Sequence, residues 1–136
     1  MAYVSQERKA QLAPAIKAIC KKYGIKATIA VRNHSTLVVN IKQGKIDFIG
    51  NYNKVAGERY SRDPLGFRPA DKSIDVNPYW YREHFDGQAL AFLSELLPAM
   101  NVGNHDNSDP QTDYFDVGWY VDVNIGQWNK PYALEV

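Results

Sequence analysis

From Ile25 onward the chain alternates in a frame of two. Ile25, Ala27, Ile29 and Val31 are interleaved with Lys26, Thr28, Ala30 and Arg32. After Asn33-His34-Ser35 the alternation resumes, with Leu37, Val39 and Ile41 set against Thr36, Val38, Asn40 and Lys42. Side chains on a strand point to opposite faces at successive residues, so this pattern predicts a hairpin with one apolar and one mixed face. Gln43 to Lys45 reads as a second tight turn. Ile46, Phe48 and Ile49 then extend the pattern into a third strand of a meander. The clearest strand comes late, where Val117, Trp119, Val121, Val123 and Ile125 alternate with Gly118, Tyr120, Asp122 and Asn124. Gly126 to Lys130 turns it back toward a last strand, Tyr132 to Val136, and Ser73 to Asn77 forms a short one.

Two stretches repeat with helical spacing instead. Leu12, Ala15, Ile16, Ile19, Cys20 and Tyr23 recur at steps of three and four, with Ser5 as a capping residue before them and Gly24 as a left-handed stop after them. Pro14 lies within this span, where it either opens the regular helix or kinks it. Asn77-Pro78 is a helix start by cap and first-turn proline, and Tyr79, Trp80, Tyr81 and Phe85 make the following turns aromatic. Asp86 caps a second segment carrying Leu90, Phe92, Leu93, Leu96, Leu97 and Met100, an apolar face broad enough to lie deep in a core, which Pro98 bends or ends. Residues 50–72 hold three Gly and two Pro without periodicity and read as a surface loop or insert. The expected order is α-βββ-loop-β-α-ββ. It describes one α+β domain over residues 1–136, with a mainly antiparallel sheet and two helices packed on one face.

The 136 residues and 45% hydrophobic content suit one domain with a sizeable core. No apolar run reaches the roughly 20 residues that span a bilayer, and Glu7, Arg8 and Lys9 stand where a signal peptide needs its apolar stretch. Cys20 is the only cysteine, so no internal disulfide forms. Together these point to a cytoplasmic protein without membrane association. Net charge is +1, but residues 1–68 carry +9 and residues 69–136 carry −8. The simplest account is that the halves pack together and neutralise each other. The balance excludes a mimic of the DNA backbone, which needs a strongly acidic surface.

The sequence repeats Ile74-Asp75-Val76-Asn77 as Val121-Asp122-Val123-Asn124. On strands, the aliphatic residues face the core, and Asp75, Asn77, Asp122 and Asn124 face the other way beside Asn40 and Tyr120. Carboxylates and amides on one sheet face suit a hard cation, a sugar or a nucleotide. They equally suit a solvated open face, and Asn77 serves as a helix cap. The candidate ligand-binding set is His34, Thr36, Asn40, His105, Tyr120, Asp122 and Asn124. His34-Ser35-Thr36 matches the His-x-Thr element of two-histidine phosphoesterases, but His84 and His105 supply no second copy, and a polar hairpin tip explains it more simply. His105, Asp106, Asp109, Asp113 and Asp116 lack the glycine and terminal glutamate of a calcium loop and have the composition of turns, so no metal is assigned. Cys20 lies on an apolar stripe as inert packing. No serine elbow, phosphate loop or dinucleotide fingerprint occurs, and neither catalytic residues nor cofactors are assigned.

Lys17, Lys21, Lys22, Lys26, Arg32, Lys42 and Lys45 gather on the first helix and hairpin. They form a candidate nucleic-acid surface that would hold backbone or single strands, since no base-reading motif is present. The aromatic stretch Pro78 to Phe85 is either a partner-binding patch or, more simply, the core anchor of the second helix.

Three stretches, "KYGIKATIAVRNHSTLVVNIKQGKIDF" (Lys22 to Phe48), "DVNPYWYREHFDGQALAFL" (Asp75 to Leu93) and "NHDNSDPQTDYFDVGWYVDVNIGQWNKPY" (Asn104 to Tyr132), resemble a group of small hypothetical proteins of bacteriophages and mobile elements. The resemblance is to one of the large polyvalent protein-associated domains, the twenty-ninth of that series. It covers nearly the whole chain, with 50–72 as a variable insert. It implies an α+β domain in the cytoplasm of a bacterial host during establishment of foreign DNA, and it carries no catalytic residues across. The leading expectation is a non-enzymatic accessory protein that binds host protein machinery or nucleic acid. The alternative is a small enzyme, or a nucleotide- or metal-binding protein, with its site on the polar sheet face or the acidic loop.

Overall fold

The computed structural model describes residues 3–59, 69–70, 72–104, 118–127 and 129–134. Helix α1 runs Gln6–Lys22. Ser5 Oγ accepts from Arg8 N at 2.9 Å, satisfying one of the amides that a helix start leaves bare. The helix passes through Pro14, which is exposed, and ends where Gly24 takes φ +69°. Strands β1 (Ile25–Arg32) and β2 (Thr36–Gly44) then pair antiparallel around a turn in which Asn33 and His34 both have positive φ. Primed hairpin turns need that conformation because it matches the strand twist, and Asn tolerates it. β2 continues through Gln43 and Gly44, where a turn is expected from the sequence.

The third strand of the expected meander is replaced by helix α2 (Phe48–Arg59), which also takes up much of the stretch expected as a loop. Asp47 starts it by accepting from Gly50 N at 2.9 Å through its side chain and from Asn51 N through its carbonyl. Phe48, Tyr52 and Ala56, spaced four apart, then give it an inward stripe, with Phe48 and Ala56 fully buried. Strand β3 (Ile74–Val76) follows. Asn77 Oδ1 accepts from Tyr79 N and Trp80 N, holding a turn before the single-turn helix α3 (Tyr81–His84). The aromatic run divides, with Tyr81 and Phe85 in the core and Tyr79 and Trp80 exposed. Helix α4 (Gly87–Met100) buries Ala89, Phe92, Leu93, Leu96, Leu97 and Met100, and Pro98 falls in its last turn.

Strand β4 (Tyr120–Ile125) enters the middle of the sheet. The order is β1-β2-β4-β3, antiparallel at both outer pairs and parallel between β2 and β4. The last strand, β5 (Ala133–Leu134), does not return along β4; it pairs parallel to the end of β2. The chain is thus α+β, with a mixed sheet of five strands among the described residues, and α1 and α4 pack against each other on one face. Leu37, Val39, Ile41, Val123 and Ile125 from the sheet join Ile16, Phe92, Leu93 and Trp119 in one core. Trp119 Nε1 donates to Met100 O at 3.1 Å, so the indole is satisfied inside that core.

Three asparagines bind segments together through paired bonds. Asn53 exchanges two with the backbone of Ala70, Asn104 two with the backbone of Trp119, and Asn51 two with Asp86. No helix among the described residues is long and apolar enough to cross a membrane.

Across the α1–α4 contact, Glu95 accepts from the Tyr23 hydroxyl and from Lys22 Nζ, the latter at 2.9 Å. These bonds favour the carboxylate, so the Glu95 acid lies below the ordinary range, while the same bonds raise Tyr23 and Lys22. A depressed acid stabilises the fold above the carboxylate's unfolded pKa, and that contribution disappears as pH falls through the folded value. The raised Tyr23 and Lys22 contribute below their unfolded pKa values and lose it as pH rises through the folded ones. Glu95→Gln is therefore expected to flatten the acid limb of a urea-midpoint profile while leaving Phe92 and Leu93 buried. An unchanged acid limb would show that the cluster plays no part.

Candidate functional site

The face of the sheet opposite the helices carries the residues singled out by alternation. The registers set three rows across it: Arg32, Thr36 and Tyr120; Ala30, Val38 and Asp122; then Thr28, Asn40, Asn124 and Asp75. Thr36, Asn40, Tyr120, Asp122 and Asn124 are therefore brought together. The two repeats prove to be antiparallel neighbours, with Asp75 opposite Asn124 and Val76 opposite Val123. His34 sits at the exposed hairpin tip beyond the first row. His105 and the acidic loop that follows it lie outside the described residues. Among the described residues no group of three His, Cys, Asp or Glu is placed to hold a metal ion.

Two polar side-chain contacts link strands on this face. Arg32 Nη1 meets Asp122 Oδ2 at 2.9 Å. Because Arg32 is on β1 and Asp122 on β4, their side chains reach over β2, where Thr36 and Val38 are 8% and 5% exposed. At the other end Asn124 Nδ2 donates to Asn40 Oδ1 at 3.1 Å. Beside that amide pair the turn after β4 leaves two small recesses. One, of about 230 Å³, is lined by Thr28, Asn40, Lys42, Gln127 and Lys130 among others; the second, of about 350 Å³, by Ser73, Asp75, Asn124, Gln127 and Asn129. Their groups are amides, hydroxyls, two ammonium ions and one carboxylate. Such a set can hydrogen-bond a small polar molecule, but it has no nucleophile paired with a base.

The seven cations do not form one patch. Lys22 is held by Glu95, Arg32 by Asp122, and Lys42 lines the first recess; Lys45 lies against Gly24, where an added methyl would meet its side chain at 3.0 Å. Lys17, Lys21 and Lys26 instead rim a groove of about 380 Å³ between α1 and β1, whose floor is Ile16, Cys20, Ile25, Ala27 and Ile29. Neither Lys17 nor Lys21 has an ion-pair partner among the described residues. The two stand four apart on α1, a spacing that puts like charges side by side at a cost of a few tenths of a kcal/mol. Burial pushes the Cys20 thiol above its ordinary pKa, so it is a poor nucleophile.

The basic residues were legible in the sequence; the apolar floor between them was not. Ile16 and Cys20 read simply as core, and only the edge position of β1 leaves them beside an opening. Thr28 belongs to the same alternating frame as Asn40 and was findable by it, whereas Gln127 and Lys130 carry no local signal. Comparison with protein families, with curated proteins and with solved structures finds no match for this chain.

Proposed function

We propose that the protein is a non-enzymatic accessory protein of a bacteriophage or mobile element, acting in the bacterial cytoplasm by binding a host protein through the face formed by α1 and β1. The observation that carries this reading is the groove whose floor is apolar and whose rim is cationic. A nucleic-acid backbone needs cations but gains nothing from a floor where Ala27 and Ile29 remain half-buried, and no aromatic ring is among the described residues that line the groove. A protein segment uses both parts, placing aliphatic side chains on the floor and carboxylates on the lysines. The context of phages and mobile elements rests on the resemblance of the three sequence stretches.

Fluorescence anisotropy with a labelled acidic peptide and a labelled single-stranded oligonucleotide tests the choice. The peptide should bind, and Lys17→Glu with Lys21→Glu should weaken it about tenfold or more, as expected when two attractions become repulsions. Salt-sensitive retention of the oligonucleotide alone, abolished by the same double substitution, would replace this reading with a nucleic-acid one.

A further inference from the structure

We infer that the groove takes its partner as an added β-strand: an extended segment that pairs with the outer edge of β1 and carries both aliphatic and acidic residues among the side chains it turns toward α1. The inference rests on the protein-binding reading above and specifies how the partner is held. Among the described residues β1 is the end strand of the sheet, and no backbone group meets its outer side along Ala27–Arg32. An end strand presents its outward N–H and C=O groups as a template for another chain. The irregularity in the β1–β2 pairing leaves the extra residue, Lys42, in β2, so β1 itself runs unbroken.

The side chains agree with the backbone. Ala27, Ile29 and Val31 pack against the core but remain only half-buried, because the sheet continues past the edge of α1. A strand laid beside β1 would send every second side chain toward α1, over Ile16 and Cys20. With aliphatic residues there, it would extend the covered layer and remove Ala27, Ile29 and Val31 from water. Lys17 and Lys21 stand over the same place on α1, and no carboxylate is among the described residues that line the groove. The complementary chain is therefore aliphatic where it meets the floor and acidic where it meets the rim.

The test uses the full chain and a labelled peptide of about six residues, the ordinary length of a strand, with valine and glutamate at the alternate positions that face α1 and threonine at the others. Two further peptides carry N-methyl groups on alternate residues, in one phase and in the other. Strand addition predicts that one phase loses at least tenfold in affinity, while the other binds like the parent, because only one edge of the peptide faces β1. It also predicts slowed hydrogen exchange at outward amides within Ala27–Arg32. Equal affinity for all three peptides, with binding still sensitive to Lys17→Glu and Lys21→Glu, would overturn strand addition and leave the protein-binding face standing. Failure of the parent peptide to bind, or binding indifferent to the lysines, would remove both.

Discussion

Phe48→Ala is expected to lower the unfolding free energy by about 3–5 kcal/mol, the range for emptying a buried aromatic site. Phe48 is 0% exposed and meets three rings: Tyr132 and Phe85 edge-on at 5.5 and 6.4 Å between centroids, and Phe92 tilted at 5.7 Å. Those rings come from the segment before β5, from the end of α3 and from α4, so the truncation opens a void where four parts of the chain meet. Neighbours held by separate elements cannot all collapse into it, which places the loss at the upper part of the range. Against a total stability of roughly 5–15 kcal/mol for a domain of this kind, much of the margin goes. Urea titration followed by tryptophan fluorescence measures it. A loss under about 1 kcal/mol, which a surface position would give, would mean that α2 does not dock by its first residue.

Gly126→Ala is expected to cost about 3 kcal/mol, or a fall of about 10 °C in Tm for a chain of this length. Two causes add. Gly126 has φ +71°, where a side chain is strained, and a methyl there would lie 2.5 Å from Tyr132 N and 2.7 Å from Lys72 O. Those two atoms are themselves bonded at 2.9 Å, so the methyl intrudes on the link that brings the last segment back to the sheet. Tyr132 would move with it, releasing the bond from its hydroxyl to Ile46 O at 2.6 Å. Gly87→Ala is the matched control. Its φ is +55°, yet nothing lies within 4 Å of the added carbon, so conformational strain alone, about 1 kcal/mol, is expected. Equal losses for the two variants in a thermal melt would show that the crowding at Gly126 is relieved at no cost.

What the sequence disclosed, and what it hid, follows from the range of each interaction. Alternation over Ile25–Ile41 and Trp119–Ile125 reports local geometry, so the strands and the shared polar face of Thr36, Asn40, Asp122 and Asn124 were legible. So were α1 and α4, through Ser5, Gly24 and the spacing of Phe92 to Met100. The stretch from Ile46 misled because Ile46 and Phe48 mimic a strand, and Gly50, Asn51, Asn53 and Gly57 are weak helix formers. Helix α2 is held instead by contacts distant in sequence: the Asp86 and Ala70 bonds of its asparagines and the rings around Phe48. Strand order is equally non-local. Nothing between Thr36 and Gly44 announces that β4 will lie on one side of β2 and β1 on the other, so the groove between α1 and β1 could not be anticipated.

The parallel pairing of β2 with β4 has a consequence for biosynthesis. Thr36 is partnered by Tyr120, so the central seam of the sheet cannot close until most of the chain has left the ribosome. Until then a nascent hairpin of β1 and β2 exposes Leu37, Val39 and Ile41 along with an unmatched edge. Chaperone capture should be strongest in that interval and should cease once Val123 and Ile125 emerge.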